Sequence, residues 1–153
     1  NNTNSTSTTT GATIIDGGLG VGKDVWVGGR MNSESVLIAD TVFDSTQTTN
    51  TTTMSTVIDE YPVSQFRSTK YLVQIDDTDN NSFQVTECLM LVVNTGSNYS
   101  ASSNEYGTVT NNGELGVFQT NVVGGPTPIV QFLFQANTAS NKTIKVLRIA
   151  MTP

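Results

Sequence analysis

The sequence predicts an all-β protein: an N-terminal glycine-rich intertwined β-stalk, then a β-sandwich or jelly-roll-like domain of about eight strands. Three observations carry that reading. No window of a dozen residues shows a 3.6-residue apolar period, short β-branched runs alternate in polarity, and turn-forming Asn, Asp and Gly punctuate them.

Residues 1–53 form the first part. Asn1–Thr10 contains only Asn, Ser and Thr, a composition that buries no apolar surface unaided. Bursts at Thr13–Ile15, Val25–Val27 and Val36–Ile38 read as strands of three to five residues, separated by the pairs Gly17-Gly18 and Gly28-Gly29. So few large side chains build no private core, so the segment is expected to bury Ile14, Ile15, Leu19, Val21, Val25, Trp26 and Val27 against copies of itself. Glycines would sit where backbones approach closely. The tract Ser45–Thr53 reads as a polar linker or an extended strand.

Residues 54–153 read as a folded head. The expected strands are Ser68–Ile75, Phe83–Val93, Glu105–Thr110, Gly116–Val122, Ile129–Ala136 and Thr143–Met151, with shorter ones at Thr56–Ile58 and Gln65–Phe66. Tyr71, Val73 and Ile75 alternate with Leu72, Gln74 and Asp76, the period of a strand with one face more buried than the other. Leu89–Val93 is apolar on both faces, as a central strand would be. Asn112-Gly113 is the strongest turn, since both residues tolerate positive φ.

Composition narrows the chemistry. The chain has 153 residues, no His, one Cys and a net charge of −6 from 7 basic and 13 acidic residues. Thr (25), Asn (15) and Ser (14) supply its polarity, while charged residues are only 13%. His-based triads, zinc fingers, Cys–His nucleophile pairs and intrachain disulfides are therefore excluded within these residues. Seven dispersed basic residues in an acidic chain make a poor phosphate-backbone binder, so no nucleic acid is expected. Apolar runs such as Leu89–Val93 and Val36–Ala39 are too short for a helical membrane span. The chain opens at Asn1 without Met, which suits either a removed segment or the last part of a longer protein; the repeat described below favours the latter.

Several motifs have simpler readings. Gly17–Asp24 meets G-x-x-x-x-G-K, but Asp24 stands where a hydroxyl must reach Mg²⁺ and Val25–Gly29 does not open a helix. It reads as a glycine-rich turn. Asp77, Asp79 and Asn81 resemble the start of a calcium loop, yet Ser82 replaces the required Gly and Glu87 falls one place early. A solvated hairpin turn is expected there. Neither Asp59/Glu60 nor Glu105/Glu114 stands out as a catalytic carboxylate pair. Cys88 reads as a small buried side chain, and Trp26 as a chain–chain contact rather than a ligand platform. Six Asn-x-Ser/Thr triplets follow from the abundance of these residues. No cofactor or metal is expected.

Ser5–Gly29 resembles the repeat S-T-x-S-T-G-A-L-x-x-x-G-G-x-G-x-G-x-x-x-x-V-G-G of tail-fibre and other virion structural proteins of tailed phages. It departs at Lys23-Asp24 and at the bulky Trp26. Thr56–Tyr71, Phe83–Leu91, Tyr106-Gly107 and Leu115–Phe118 resemble the C-terminal domain of virion proteins from T4-like marine and cyanobacterial phages. The resemblance implies a homotrimeric, non-enzymatic fibre segment or tip in the virion, joined to other virion proteins through its N-terminal side. Alternatives are a capsid decoration or neck fibre, or a bacterial surface adhesin or pilin-like module. A depolymerase is expected to need a longer β-helical body. If the head meets a host glycan or protein, turn chemistry nominates loop residues Asn98, Tyr99, Asn104, Tyr106, Asn111 and Asn112.

Overall fold

The computed structural model describes Ile15, residues 17–96 and residues 98–153. It divides into two units, Asn1–Asn32 and Ser33–Pro153. Among the described residues there is no helix, and the nine strands are β1 (Ser35–Ile38), β2 (Thr41–Asn50), β3 (Ser55–Pro62), β4 (Ser68–Asp77), β5 (Ser82–Asn94), β6 (Tyr99–Thr110), β7 (Gly116–Val123), β8 (Ile129–Ala136) and β9 (Lys142–Met151). Pairing is antiparallel throughout. The second unit is a sandwich of a six-stranded sheet, ordered β1-β2-β9-β4-β5-β6, and a three-stranded sheet, ordered β3-β8-β7.

The period-two pattern decides which side chains face the other sheet. Tyr71, Val73 and Ile75 of β4 are fully buried, as are Val130 and Phe134 of β8. Tyr71 of the large sheet stacks on Phe132 of the small one at 4.3 Å, joining the layers, and within the small sheet Phe118 of β7 lies 5.4 Å from Phe132 and 5.3 Å from Phe134. Such offset pairs add roughly 0.5–1.5 kcal/mol each beyond burial. Gly116 makes room for this spine, because a Cβ there would lie 2.6 Å from the Phe134 ring.

Three expectations change. The boundary falls at Asn32/Ser33 rather than at 53/54, because β1 and β2 belong to the large sheet. The Ser45–Thr53 tract supplies the end of β2, which pairs with β9 from Thr41↔Met151 to Asn50↔Lys142. Gln65–Phe66 is not a strand: the Gln65 N–H donates to the Pro62 carbonyl (2.9 Å) in a turn that drives Phe66 into the core against Tyr61. Likewise, the described residues of Val25–Val27 and Ile15 are not in strands, whereas Val36–Ile38 lies within β1.

Candidate functional site

In the first unit every described residue is exposed. Ile14 lies outside the described residues. Ile15, Leu19, Val21, Val25 and Val27 all stand open, and Trp26 is 92% exposed. This is apolar surface with no core of its own.

The six nominated head residues fall in three places. Asn98 lies in the β5–β6 turn, where its carbonyl accepts from the Thr95 N–H (2.8 Å) and hydroxyl (2.9 Å), and Tyr99 starts β6 beside Asn94. Asn111 and Asn112 lie past the far end of β6, a 12-residue strand spanning roughly 35 Å at the usual rise. There Asn111 accepts from the Phe83 N–H (2.7 Å) and donates to the Asn81 carbonyl (2.9 Å), while Asn112 donates to the same carbonyl and to the Ser82 hydroxyl (both 3.2 Å). Asn104 and Tyr106 are not loop residues but sit within β6. A bulge in β6, opposite the step from Glu87 to Cys88 of β5, leaves Tyr106 without a partner. The three places do not converge on one site.

Asn104 and Tyr106 instead join a surface that alternation alone did not reveal, the outer face of the six-stranded sheet. Its centre is apolar: Leu72 of β4, Val85, Leu89 and Leu91 of β5, and Leu147 and Met151 of β9 are all exposed. Leu89, Leu91, Ile149 and Met151 contribute to an open groove of about 640 Å³, rimmed by Ser68, Ser102 and Asn104. Its charges come in opposite pairs, Lys70 with Glu87 (3.2 Å) and Lys145 with Asp76 (3.8 Å). The Tyr106 ring lies 5.8 Å from the Lys70 ammonium. The Tyr106 hydroxyl and then Lys70 hold the Glu87 carboxyl below its usual range, and Tyr106 and Glu87 in turn raise Lys70.

The outer face of the three-stranded sheet is different in kind. Gln119 donates to Gln135 (3.2 Å), Asn121 to Gln131 (3.4 Å), and Gln131 to Glu60 (3.0 Å), an amide lattice that satisfies itself.

Inside the sandwich two cations, Arg148 and Lys142, form ion pairs that distance in sequence hides. Arg148 of β9 donates from Nη1 to both oxygens of Asp59 (2.8 Å each) and from Nη2 to Asp44 (2.6 Å), tying the two sheets together. Its guanidinium lies 5.4 Å from the Tyr61 ring and 5.3 Å from that of Phe66, and Nε has no hydrogen-bond partner. Burial pushes the Asp59 carboxyl up, against the pull of Arg148 and the hydrogen bond from Tyr71. Lys142 is the second case, wholly buried and bonded to the Thr138 carbonyl (2.8 Å), the Thr138 hydroxyl (3.0 Å) and Asp77 (3.3 Å). Asp77 is therefore not part of a solvated turn. Burial works to raise its pKa, but hydrogen bonds from Ser140, Asn80 and Lys142 prevail and hold it at about 2. Asp79 accepts from the Asn141 N–H (3.0 Å). Among the described residues no three His, Cys, Asp or Glu side chains stand together as a metal cage. Cys88 is fully buried, its thiol pushed up to about 12 by burial and then by Glu105.

No family model matches the chain, and no curated protein sequence does. Among solved structures the chain is similar to the tailspike protein of Acinetobacter baumannii phage AM24, at 12% identity and a TM-score of 0.45, over 74% of this chain and 26% of that one. It is also similar to tailspike protein gp49 of Acinetobacter baumannii bacteriophage Fri1, a capsular polysaccharide depolymerase, at 16% identity and a TM-score of 0.40, over 78% of this chain and 20% of that one. This chain thus spans about a quarter or less of each. The expectation of a protein that is no enzyme is withdrawn on this finding, since one matched structure is named a depolymerase. The likeness is to phage tail proteins.

Proposed function

We propose that this chain is a structural segment of a phage tail fibre or spike, of the T4-like marine kind its sequence resembles. In this reading the protein is a homotrimer at the virion surface, joined to other virion proteins through its N-terminal side. The observation that carries it is the first unit: a glycine-rich segment with a phage-fibre repeat pattern leaves Leu19, Val21, Val25, Trp26 and Val27 exposed, with nothing of its own to cover them. Apolar surface of this kind is stabilised by burial against partner chains.

Sedimentation equilibrium tests the reading. The expected mass is three times 16.3 kDa, falling when Trp26 is replaced by Asp; a monomer at every concentration would overturn it. Host contact is proposed for Tyr99 and Tyr106, whose replacement by Ala is expected to reduce adsorption of phage to cells. Unchanged adsorption with an intact trimer would remove that part alone.

A further inference from the structure

We infer that the outer face of the six-stranded sheet is a contact between copies of this chain, each sandwich turning this face toward the same face of the other two about a three-fold axis. This rests on the self-association proposed above but places it on the sandwich as well as on the glycine-rich unit. The first reason lies in β5. Its Cys88, Met90 and Val92 fill the core, while Leu89, Leu91 and Val93 between them remain exposed. A strand apolar on both faces belongs between two covering layers, and the sandwich supplies one.

Charge selects the occupant. The chain is at −6, yet the four charged residues on this face, Lys70, Glu87, Lys145 and Asp76, cancel in two pairs. A strongly charged partner would find no net field to recognise, and two such faces meet without like-charge repulsion. Scale agrees as well. Eleven apolar or aromatic side chains on this face, Ile38 and Tyr106 included, are 39–74% exposed, a spread that suits the roughly 20–30 residues a side, about 800 Å² per partner, of a standard interface. The amide-laced outer face of the small sheet exposes fewer apolar side chains, Val117 and Val123 among them, and its Glu60 faces an amide rather than a cation.

The test uses the full chain with Leu89→Glu and Leu91→Glu together. Both side chains already point away from the core, so β-sheet circular dichroism is expected to persist. Should it be lost, Val109→Lys, at the most exposed apolar position of this face, replaces the pair. Two readouts are taken: the concentration midpoint of association by sedimentation, and acylation of Lys70 and Lys145 in the parent below and above that midpoint, peptide by peptide. The variant is expected to raise the midpoint by roughly 30-fold, the loss of a central contact, and Lys70 and Lys145 of the parent are expected to react more slowly above the midpoint than below it. A midpoint that the variant leaves unmoved, or lysines that react alike above and below it, overturns this face and leaves the glycine-rich unit as the seat of association. A parent that is monomeric throughout overturns both.

Discussion

The interior of the sandwich holds ion pairs within its aromatic and aliphatic core, while the outer face of its large sheet holds apolar side chains between its charged ones. Inside, Arg148, Asp59, Lys142 and Asp77 are buried as ion pairs; outside, leucines and valines line β4, β5 and β9. Buried charge is a costly way to stabilise one chain, because desolvation offsets much of the attraction. It fixes geometry instead. Arg148 reaches only with β9 centred between β2 and β4 and with β3 lying opposite. The inside holds one arrangement of sheets, and the outside is left apolar.

The largest expected effect comes from breaking the interior. Arg148→Met leaves Asp59 buried without its cation and should cost about 3–5 kcal/mol, read as a fall in the urea midpoint. Adding Asp59→Asn to that variant removes the stranded charge and should restore most of the loss. If the double variant is no better than the single one, the guanidinium acts by packing on Tyr61 and Phe66 rather than by charge.

Next comes acid. Asp77 has a folded pKa of about 2 against a reference of 3.8. A depressed carboxyl contributes stability that is complete above its unfolded pKa and is lost as pH falls toward its folded one. Its contribution, about 2 kcal/mol at neutral pH, should therefore disappear between about pH 4 and pH 2. Asp59 runs the other way: its raised carboxyl favours the protonated fold, so it adds nothing to acid loss. Asp77→Asn should flatten the acid limb of a stability–pH curve, while Asp59→Asn should not. Equal flattening by both would put the acid response in the wrong pair.

These pairs also mark what the sequence hides. β8 is legible to the residue, because Val130, Phe132, Phe134 and Ala136 alternate with Gln131, Leu133 and Gln135 and the buried face is the larger-volume one. β2 is not, since Ser45–Asn50 is polar on both faces and owes its strand to the ladder with β9, about a hundred residues away in sequence. Arg148 and Asp59 are 89 residues apart, and no local pattern joins them. The outer-face site was half legible. The two-sided apolar run at Leu89–Val93 signals a strand that wants cover, but only the sheet order shows which side goes without. The nominated Asn111 and Asn112 look like free turn amides in sequence, and their bonds to Asn81 and Ser82 appear only when the β6–β7 crossing between the sheets meets the β4–β5 turn.

The smallest expected effects belong to the outer faces, and they sharpen the contrast. On the large sheet, Leu72→Thr should shift the stability of the unassociated chain by no more than about 0.5 kcal/mol, the usual range for surface changes. On the small sheet, Gln131→Ala removes the bond donated to Glu60 and the one accepted from Asn121. Both groups are exposed, so water replaces the partners, and the thermal midpoint should again move by an amount corresponding to no more than about 0.5 kcal/mol. The two differ in association. Leu72→Thr should weaken it, because a methyl and a hydroxyl replace an aliphatic side chain at the centre of the apolar patch. Gln131→Ala should leave it alone. If Gln131→Ala dissociated the protein and Leu72→Thr did not, the amide lattice would be the contact surface and the leucines an ordinary, if unusually apolar, exterior.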